Sequence, residues 1–172
     1  VEYPTRIKVR RAKLDMYEVG MAKNDATQIK YFSKHAQVSN YWKNFIGMST
    51  SLRALDVAGK KRGEETEFST WANADDARKG KYGNVLSMYE EAYKTLQGTQ
   101  VKRDYLVEGV FGMEILTQAS TFKALLPLLE KEDADPKQLD AAIQRVKAAG
   151  TAFYKDYDAE IDQNVMALVL SM

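Results

Sequence analysis

Apolar residues recur every three or four positions along most of this chain, which is the spacing of amphipathic helices and not of strands. The first periodic run follows Thr5, a residue type that caps helices, and reaches about Ala22. Asn24 and Asp25 then provide a helix stop and a new cap. The pattern therefore predicts a first helix of about five turns and a second that begins directly after it.

The second run, Gln28–Gly47, is unusual in its polar side. At about 100° per residue, one stripe of its helical wheel holds Gln28, Tyr31, His35, Val38, Trp42, Phe45 and Ile46. The opposite stripe, here called the amide row, holds Ser33, Gln37, Asn40 and Asn44. Lys and Glu would be typical of a solvent face, so short neutral hydrogen-bonding groups favour contact with another surface or a small polar ligand. Burial against a neighbouring helix, or plain exposure to water, stays open as an alternative.

Helical spacing continues beyond Gly47 toward Phe68 and Trp71, and we expect bends at Gly47, Gly59 and Gly63. A turn at residues 73–75 caps a further helix, which Gly98 is expected to end. From Gln100 to Leu116 the chain is apolar almost all round, which predicts a central helix of a bundle.

The last predicted helix begins at Asp135 and Pro136, a capping side chain followed by a residue suited to the first helical turn. A single apolar stripe then runs to the end of the chain, so an unbroken rod of roughly 54 Å is expected. No strand-like alternation interrupts these runs. The predicted fold class is therefore all-α, an antiparallel helical bundle of long helices, with residues 1–172 as a single α-helical domain.

Composition and charge exclude several classes of function but do not identify one. The 172 residues include 25 Lys and Arg against 24 Asp and Glu, so the formal charge of +1 gives no reason to expect nucleic acid as a partner. The absence of Cys excludes disulfides, thiolate catalysis and zinc sites of the cysteine type. No stretch approaches the roughly 20 apolar residues of a membrane span. Because the chain starts at Val1 and stops at Met172 within an apolar run, we expect an excised piece of a larger protein.

Candidate catalytic groups are few. His35 is the single histidine and lies on an apolar stripe, where a core or boundary role is typical. No Glu-x-x-His pair, Gly-x-Ser-x-Gly elbow or Gly-rich phosphate loop occurs, so we expect no metal and no organic cofactor. Glu108 and Glu114 are six residues apart and point about 120° from one another, which favours separate ion-pair or capping roles over one acidic site.

The run IKYFSKHAQVSNYWKNFIGM, followed by LRALDVAGKK, resembles the helical domain of bacterial dipeptidyl-peptidases VII and XI. Those enzymes are chymotrypsin-clan exopeptidases of Bacteroidetes and relatives. The resemblance implies a double β-barrel that carries a Ser-His-Asp triad, with an inserted all-α domain that caps the cleft. The barrel motifs of that family, Thr-Asn-His-His-Cys and Gly-Asn-Ser-Gly-Ser-Pro, are absent here, so the chain alone would contain no catalytic residue.

What the resemblance implies for this chain is a substrate-recognition role. The family's cap contributes an Asn that helps to bind the free α-amino group of the peptide, and Asn40 in the SNYWKN run is the equivalent position, with Asn44 as the fallback. The expected partners are the β-barrel catalytic domains of the parent chain and the N-terminus of an oligopeptide substrate. The resemblance also implies a homodimeric parent and a periplasmic, secreted or cell-surface location. The rival hypothesis is a non-catalytic helical interaction or sensor module.

Overall fold

The computed structural model describes residues 3–172, and within that range it contains helices and no strand. The predicted all-α fold class is confirmed. Val1 and Glu2, which entered the expectation of an excised piece, lie outside the described residues. Two 3₁₀ segments, Val110–Gly112 and Ser120–Ala124, join some of the helices. The α-helices are α1 (Pro4–Met21), α2 (Asp25–Ala54), α3 (Val57–Asn73), α4 (Asp76–Tyr82), α5 (Val85–Glu108), α6 (Glu114–Ala119), α7 (Leu126–Leu129), α8 (Pro136–Asp156) and α9 (Ala159–Leu170).

Three of the predicted helix starts are confirmed by capping hydrogen bonds. The side chain of Asn24 accepts a hydrogen bond from the backbone N–H of Thr27, and Asp75 accepts one from Arg78. Asp135 accepts one from the N–H of Lys137 at the start of α8. The prediction that Thr5 caps α1 is wrong. Tyr3 occupies the cap position without a side-chain hydrogen bond, because Pro4 already supplies a first helical residue that needs no N–H partner.

No helix boundary falls at the three glycines where bends were expected or at Gly98, where a helix end was expected. Gly47, Gly59, Gly63 and Gly98 all lie inside helices. The bend falls instead at Leu55 and Asp56, where Asp56 adopts φ 47° and its side chain accepts a hydrogen bond from the N–H of Gly59. An Asx-type cap in the left-handed region therefore breaks the chain here, and an isolated helical Gly is tolerated at a modest cost.

The expectation of one unbroken C-terminal rod is also wrong. Tyr157 is extended, and Asp158 caps α9 by accepting hydrogen bonds from the N–H groups of Glu160 and Ile161. The backbone of Asp158 is held in turn by the hydroxyl of Tyr31 on α2. The periodicity did not reveal this break, because the apolar stripes of α8 and α9 continue with the same helical spacing across it. A capping Asp leaves that spacing unchanged.

The predicted central helix ends earlier and is less buried than expected. Helix α5 stops at Glu108, and Leu106, Val107 and Phe111 are exposed. The buried residues of α5 are instead two acids, Asp104 and Glu108, whose carboxylates pair with arginines of α1. Ion pairs with α1 therefore fix this end of α5, together with the half-buried Tyr105, which packs against the core.

Most of the packing is concentrated in one region, here called the base, formed by residues 3–45, 104–118 and 157–172. Helices α1 and α2 run antiparallel, and α9 crosses α1 at Gly20, where an added Cβ atom would overlap Cδ1 of Ile161. The close approach explains the need for glycine at that crossing. The buried core cluster consists of Val9, Tyr17, Tyr31, Met113, Ile161, Val165 and Val169.

A second region, here called the arm, comprises residues 57–103 and therefore α3, α4 and most of α5. Ala72 is its single buried residue. Trp71 stacks between Phe68 and Tyr82, with ring centroids 5.9 and 5.7 Å apart, and holds the α3–α4 corner together. The arm therefore has local contacts but no core of its own.

Candidate functional site

The candidate site is the amide row of α2, and its orientation depends on how the opposite side of α2 is fixed. Tyr31 is fully buried, and its ring meets that of Tyr17 on α1 edge to face at 5.1 Å. Its hydroxyl donates a hydrogen bond to the backbone oxygen of Asp158 and accepts one from the N–H of the same residue. Burial, with the nearby Glu114 carboxylate as a smaller cause, raises the pKa of Tyr31 well above that of a free tyrosine. The phenol therefore stays neutral, and its hydroxyl can both donate and accept the hydrogen bonds that hold α2 to Asp158.

A second attachment lies one turn further along α2. The ammonium of Lys34 donates to the carboxylate of Glu114 at 2.5 Å and to the backbone oxygen of Asp156 at 2.7 Å. It also lies 4.3 Å from the centroid of the Tyr31 ring. Since Glu114 begins α6 and Asp156 ends α8, this one side chain joins α2 to two other helices.

Arginines of α1 complete the attachment through aromatic faces. The guanidinium of Arg10 lies 4.9 Å from the ring centroid of Tyr41, and that of Arg11 lies 5.4 Å from Trp42. Arg10 also pairs with Glu108 of α5 at 2.6 Å. Contacts of this kind along about three turns of α2 leave it little freedom to rotate about its axis.

Asn40 consequently faces away from the base. It follows the buried Tyr31 by nine residues, which at about 100° each bring it to the diametrically opposite side of α2. Asn40 and Asn44 are both exposed, as are Ser33 and Gln37, so the amide row as a whole lies on the surface of the described residues. The predicted apolar stripe is buried or half-buried as expected, except that Gln28 is exposed. Burial of the amide row against a neighbouring helix is thereby excluded within residues 3–172.

The surface around Asn40 is neutral to basic. No acidic residue occurs between Ala26 and Leu55, and Lys43 lies three residues beyond Asn40 on a neighbouring strip of the helix. A helix face is also convex, so it offers one wall and no enclosure for a ligand. The amide oxygens of Asn40 and Asn44 can accept hydrogen bonds from a ligand, but α2 itself supplies neither an opposite wall nor an anionic group beside them.

Two apolar side chains next to the amide row were not singled out by the sequence. Ile29 and Phe32 are exposed at 78% and 66%, and Ile29 points within about 20° of Asn40 on the helical wheel. The sequence could have predicted their exposure, since both are apolar residues that lie outside the apolar stripe of a regular helix. The outward side of α2 thus combines amides with exposed apolar groups, a mixture typical of the centre and rim of an interface.

The contacts that orient α2 could not be predicted from the sequence. The contacts of Tyr31 with Asp158 and of Lys34 with Glu114 join positions 127 and 80 residues apart. No local spacing encodes such pairs. Glu108 and Glu114 do have the separate ion-pair roles that their angular separation predicted, the first with arginines of α1 and the second with Lys34.

His35 has a boundary role, as its position on the stripe predicted. Its Nε2 atom lies 3.2 Å from a carboxylate oxygen of Glu18, which also pairs with Arg11. Across residues 3–172, no group of three or more His, Asp or Glu side chains has the geometry of a metal site. Within the same range, no helix combines the length and the apolar character that crossing a bilayer requires.

Comparison with known proteins identifies a family and several relatives of this chain. The family described as Peptidase S46 matches residues 1–172. The chain is 38% identical over 170 residues to "Dipeptidyl-peptidase 7" of Porphyromonas gingivalis, covering 97% of this chain and 22% of that protein. It is 33% identical over 172 residues to the protein of the same name from Porphyromonas endodontalis, covering 99% and 20%. It is 29% identical over 172 residues to "Asp/Glu-specific dipeptidyl-peptidase" of Flavobacterium psychrophilum, covering 98% and 23%.

The chain thus spans about a fifth of the length of these curated relatives. The matches confirm the resemblance to dipeptidyl-peptidases that the α2 sequence carries.

Proposed function

This chain belongs to the peptidase S46 family, and from that premise we propose that it is the substrate-recognition cap of a serine dipeptidyl-peptidase. The parent enzyme would release dipeptides from the N-terminus of oligopeptides, as the names of its relatives suggest. The match over residues 1–172 favours this proposal over a free-standing interaction or sensor module. The triad would lie in the β-barrel domains of the parent chain, and this chain would contribute binding only.

The observation that carries the proposal is the fixed outward direction of Asn40. Its carboxamide oxygen accepts hydrogen bonds without adding a charge, which suits an α-ammonium group that has to be held and then released. A helix anchored by Tyr31 and Lys34 keeps that oxygen at a set position. An enzyme that removes dipeptides needs a fixed distance from the terminal ammonium to the scissile carbonyl, and Asn40 would define one end of that distance.

Asn44 is the alternative ligand, one turn further along the same exposed side. The neutral-to-basic surface of α2 requires that a carboxylate for the ammonium come from the facing domain. The side-chain preference of the enzyme would be set in the barrel pocket and not in this chain. A periplasmic, secreted or cell-surface location of the parent forms part of the same proposal.

The test is the Asn40→Ala variant of the full-length enzyme, assayed on dipeptidyl substrates with a free N-terminus. A hydrogen bond to a charged group contributes about 1.5–3 kcal/mol, so kcat/KM should fall roughly 10- to 100-fold. Asn164→Ala is the matched control, because Asn164 is an exposed helical Asn on α9, far from the amide row in sequence. Unchanged kcat/KM in both Asn40→Ala and Asn44→Ala would refute the proposal.

Two further substitutions separate hydrogen bonding from simple packing. Asn40→Asp keeps an acceptor oxygen toward the ammonium, whereas Asn40→Leu keeps the approximate volume and removes the acceptor. We expect Asp to retain most of the kcat/KM and Leu to lose as much as Ala. Equal losses in both variants would show that an acceptor oxygen does not account for the effect of Asn40 and would contradict ammonium binding.

A further inference from the structure

Helix α6 begins without a cap of its own. Met113 occupies the cap position, and its side chain forms no hydrogen bond to the first turn. The acceptors come instead from Asp162 of α9. Its two carboxylate oxygens each accept a hydrogen bond at 3.0 Å, one from the N–H of Glu114 and the other from that of Ile115. Because such bonds to a carboxylate are charge-assisted, they are stronger than those of a neutral cap. A residue of α9 therefore determines where α6 begins.

Asp162 is itself held firmly. It is 5% exposed, and the hydroxyl of Tyr157 donates a further hydrogen bond to its Oδ2 atom at 3.4 Å. Its neighbour Ile161 belongs to the buried core cluster. A buried carboxylate is costly unless it is hydrogen-bonded, so the three donors and the position of Asp162 depend on one another.

Glu114 connects this cap to α2. Its backbone N–H binds Asp162, and its carboxylate accepts a hydrogen bond from the ammonium of Lys34 at 2.5 Å. Since both contacts belong to one residue, a shift of the first turn of α6 also shifts the partner of Lys34. The side chains of Lys34 and Glu114 are 29% and 18% exposed, so water screens their attraction less than at an open surface.

The contact of Lys34 matters for the angle of α2 about its own axis. Lys34 follows Tyr31 by three residues, which places these two attachments about 60° apart around the helix. Of the two, only Tyr31 would remain if the position of Glu114 changed. Side chains of a helix reach about 5–6 Å from its axis, so a rotation of about 10° would move the Asn40 carboxamide by about 1 Å. A displacement of that size exceeds the range of a good hydrogen bond.

We propose that Asp162 is a positioning residue for Asn40, acting through Glu114 and Lys34 to fix the angle at which α2 presents the Asn40 carboxamide to the substrate ammonium. The inference rests on the proposed function of Asn40. Asp162 is buried in the base and does not touch the substrate. Its effect is therefore expected in ammonium binding specifically, and not in every property of the enzyme.

The test compares two competitive inhibitors of the full-length enzyme, the dipeptide released from the assay substrate and the same dipeptide with an acetylated N-terminus. Asp162→Asn keeps the shape of the side chain, but its NH₂ group would face one of the two N–H donors, so one cap bond is lost. We expect the Ki of the free dipeptide to rise roughly 3- to 10-fold and that of the acetylated dipeptide by less than about 2-fold. Asp140→Asn, at an exposed position of α8, is the matched control and should change neither Ki.

Substitutions of Lys34 provide a second arm. Lys34→Met removes the ammonium and should raise the Ki of the free dipeptide by about as much as Asp162→Asn, whereas Lys34→Arg keeps a cation for Glu114 and should retain most of the affinity. Because Asp162 and Lys34 act in series, the double variant Asp162→Asn with Lys34→Met should lose no more than the worse single variant. Independent effects would multiply.

A core substitution on the same helix separates positioning from loss of stability. Val169 is buried about two turns beyond Asp162 and forms no hydrogen bond to α6 through its side chain. Val169→Ala should lower the midpoint of thermal unfolding and leave the ratio of the two Ki values unchanged.

Asn40→Ala is measured alongside, so that the two proposals can fail separately. If Asn40→Ala raises the Ki of the free dipeptide while Asp162→Asn and Lys34→Met do not, the positioning inference is wrong and the Asn40 proposal stands. If Asn40→Ala leaves that Ki unchanged, the Asn40 proposal is wrong and the inference fails with it. Equal increases for both inhibitors in Asp162→Asn, or multiplied losses in the double variant, would also overturn the inference.

Discussion

The base and the arm are built from helices of similar amphipathic spacing, yet the base buries its apolar residues and the arm exposes them. In the base, Tyr31, Ile161 and Val165 are no more than 2% exposed, and ion pairs such as Arg10 with Glu108 join helices distant in sequence. In the arm, Met88, Tyr89 and Tyr93 are at least 60% exposed. Periodicity therefore defines which side of a helix is apolar, and not whether the same chain supplies the partner for it.

The contrast also separates two functions of an exposed surface. The outward side of α2 is exposed because the base holds it there through Tyr31 and Lys34, so its amides have fixed positions. On α5, by contrast, Met88, Tyr89 and Leu96 are 55–60% exposed, so no other helix of residues 3–172 covers them fully. Polar groups on a firmly held helix suit recognition of a small ligand, whereas exposed apolar side chains suit contact with a larger surface.

The largest expected effect comes from replacing one tyrosine in each region by alanine. Tyr31→Ala removes a fully buried ring with two backbone contacts, and we expect the free energy of unfolding to fall by about 3–5 kcal/mol. Tyr93→Ala in the arm, where the side chain is 69% exposed, should change it by less than about 0.5 kcal/mol. Urea unfolding of both variants measures the difference. Equal effects would mean that the arm has a stable packing partner within this chain.

A pair of glycine substitutions should produce effects of opposite sign. A Cβ at Gly20 would overlap Cδ1 of Ile161, so Gly20→Ala should cost about 1–3 kcal/mol through displacement of α9. A Cβ at Gly98 meets no atom within 4 Å, and Gly98→Ala should stabilise α5 by up to about 1 kcal/mol through helix propensity. Thermal unfolding of the two variants in parallel checks the signs. A stabilising Gly20→Ala would contradict the close crossing of α1 and α9.

An effect smaller than that of Tyr31→Ala is a pH dependence specific to the base. Lys13 is buried among Arg10, Glu108, Glu114 and Asp162, and burial lowers its pKa to about 8 despite the nearby carboxylates. In the unfolded chain this pKa returns to about 10.4, so between pH 8 and 10 the unfolded state binds more protons and stability rises with pH. From pH 7.5 to 9.5 the free energy of unfolding should gain about 1–2 kcal/mol from this group.

Urea unfolding of Lys13→Met at the same two pH values provides the check. The volume is nearly conserved and the titrating group is removed, so the gain between pH 7.5 and 9.5 should disappear. Lys94→Met in the arm, at an exposed lysine, should retain the gain of the parent chain. A gain that survives in Lys13→Met would assign the pH dependence to other groups. Tyr17 and Tyr31 do not produce such a gain, because their raised pKa values lower the stability of the folded state above about pH 10.

The sequence predicted the helical class, most of the inner face of α2 and the caps at Asn24, Asp75 and Asp135. Each of these depends on residues close in sequence, which is where propensity and capping chemistry act. The break at Asp158 and the end of α5 were missed because tertiary contacts with Tyr31 and with arginines of α1 determine them. The boundaries predicted at glycines were wrong for a different reason. Glycine is a local signal, but helices of 17 to 30 residues tolerate isolated glycines in their interiors.

The candidate site stays a prediction in its residues, and what the structure adds is the exposure of Asn40 and Asn44. Asn40 followed from a helical wheel and a family resemblance, and its exposure follows from the anchoring of Tyr31. Asn40 is exposed among residues 3–172, so the wall that the proposal places opposite it could not be predicted from them.

The central claim is that the carboxamide of Asn40 binds the terminal ammonium of a peptide. The most direct measurement is a crystal structure of the full-length enzyme with a bound dipeptide. We predict that the Asn40 Oδ1 atom lies about 2.7–3.2 Å from the α-amino nitrogen. An ammonium bound elsewhere, with Asn40 in solvent or buried against another domain, would contradict the account.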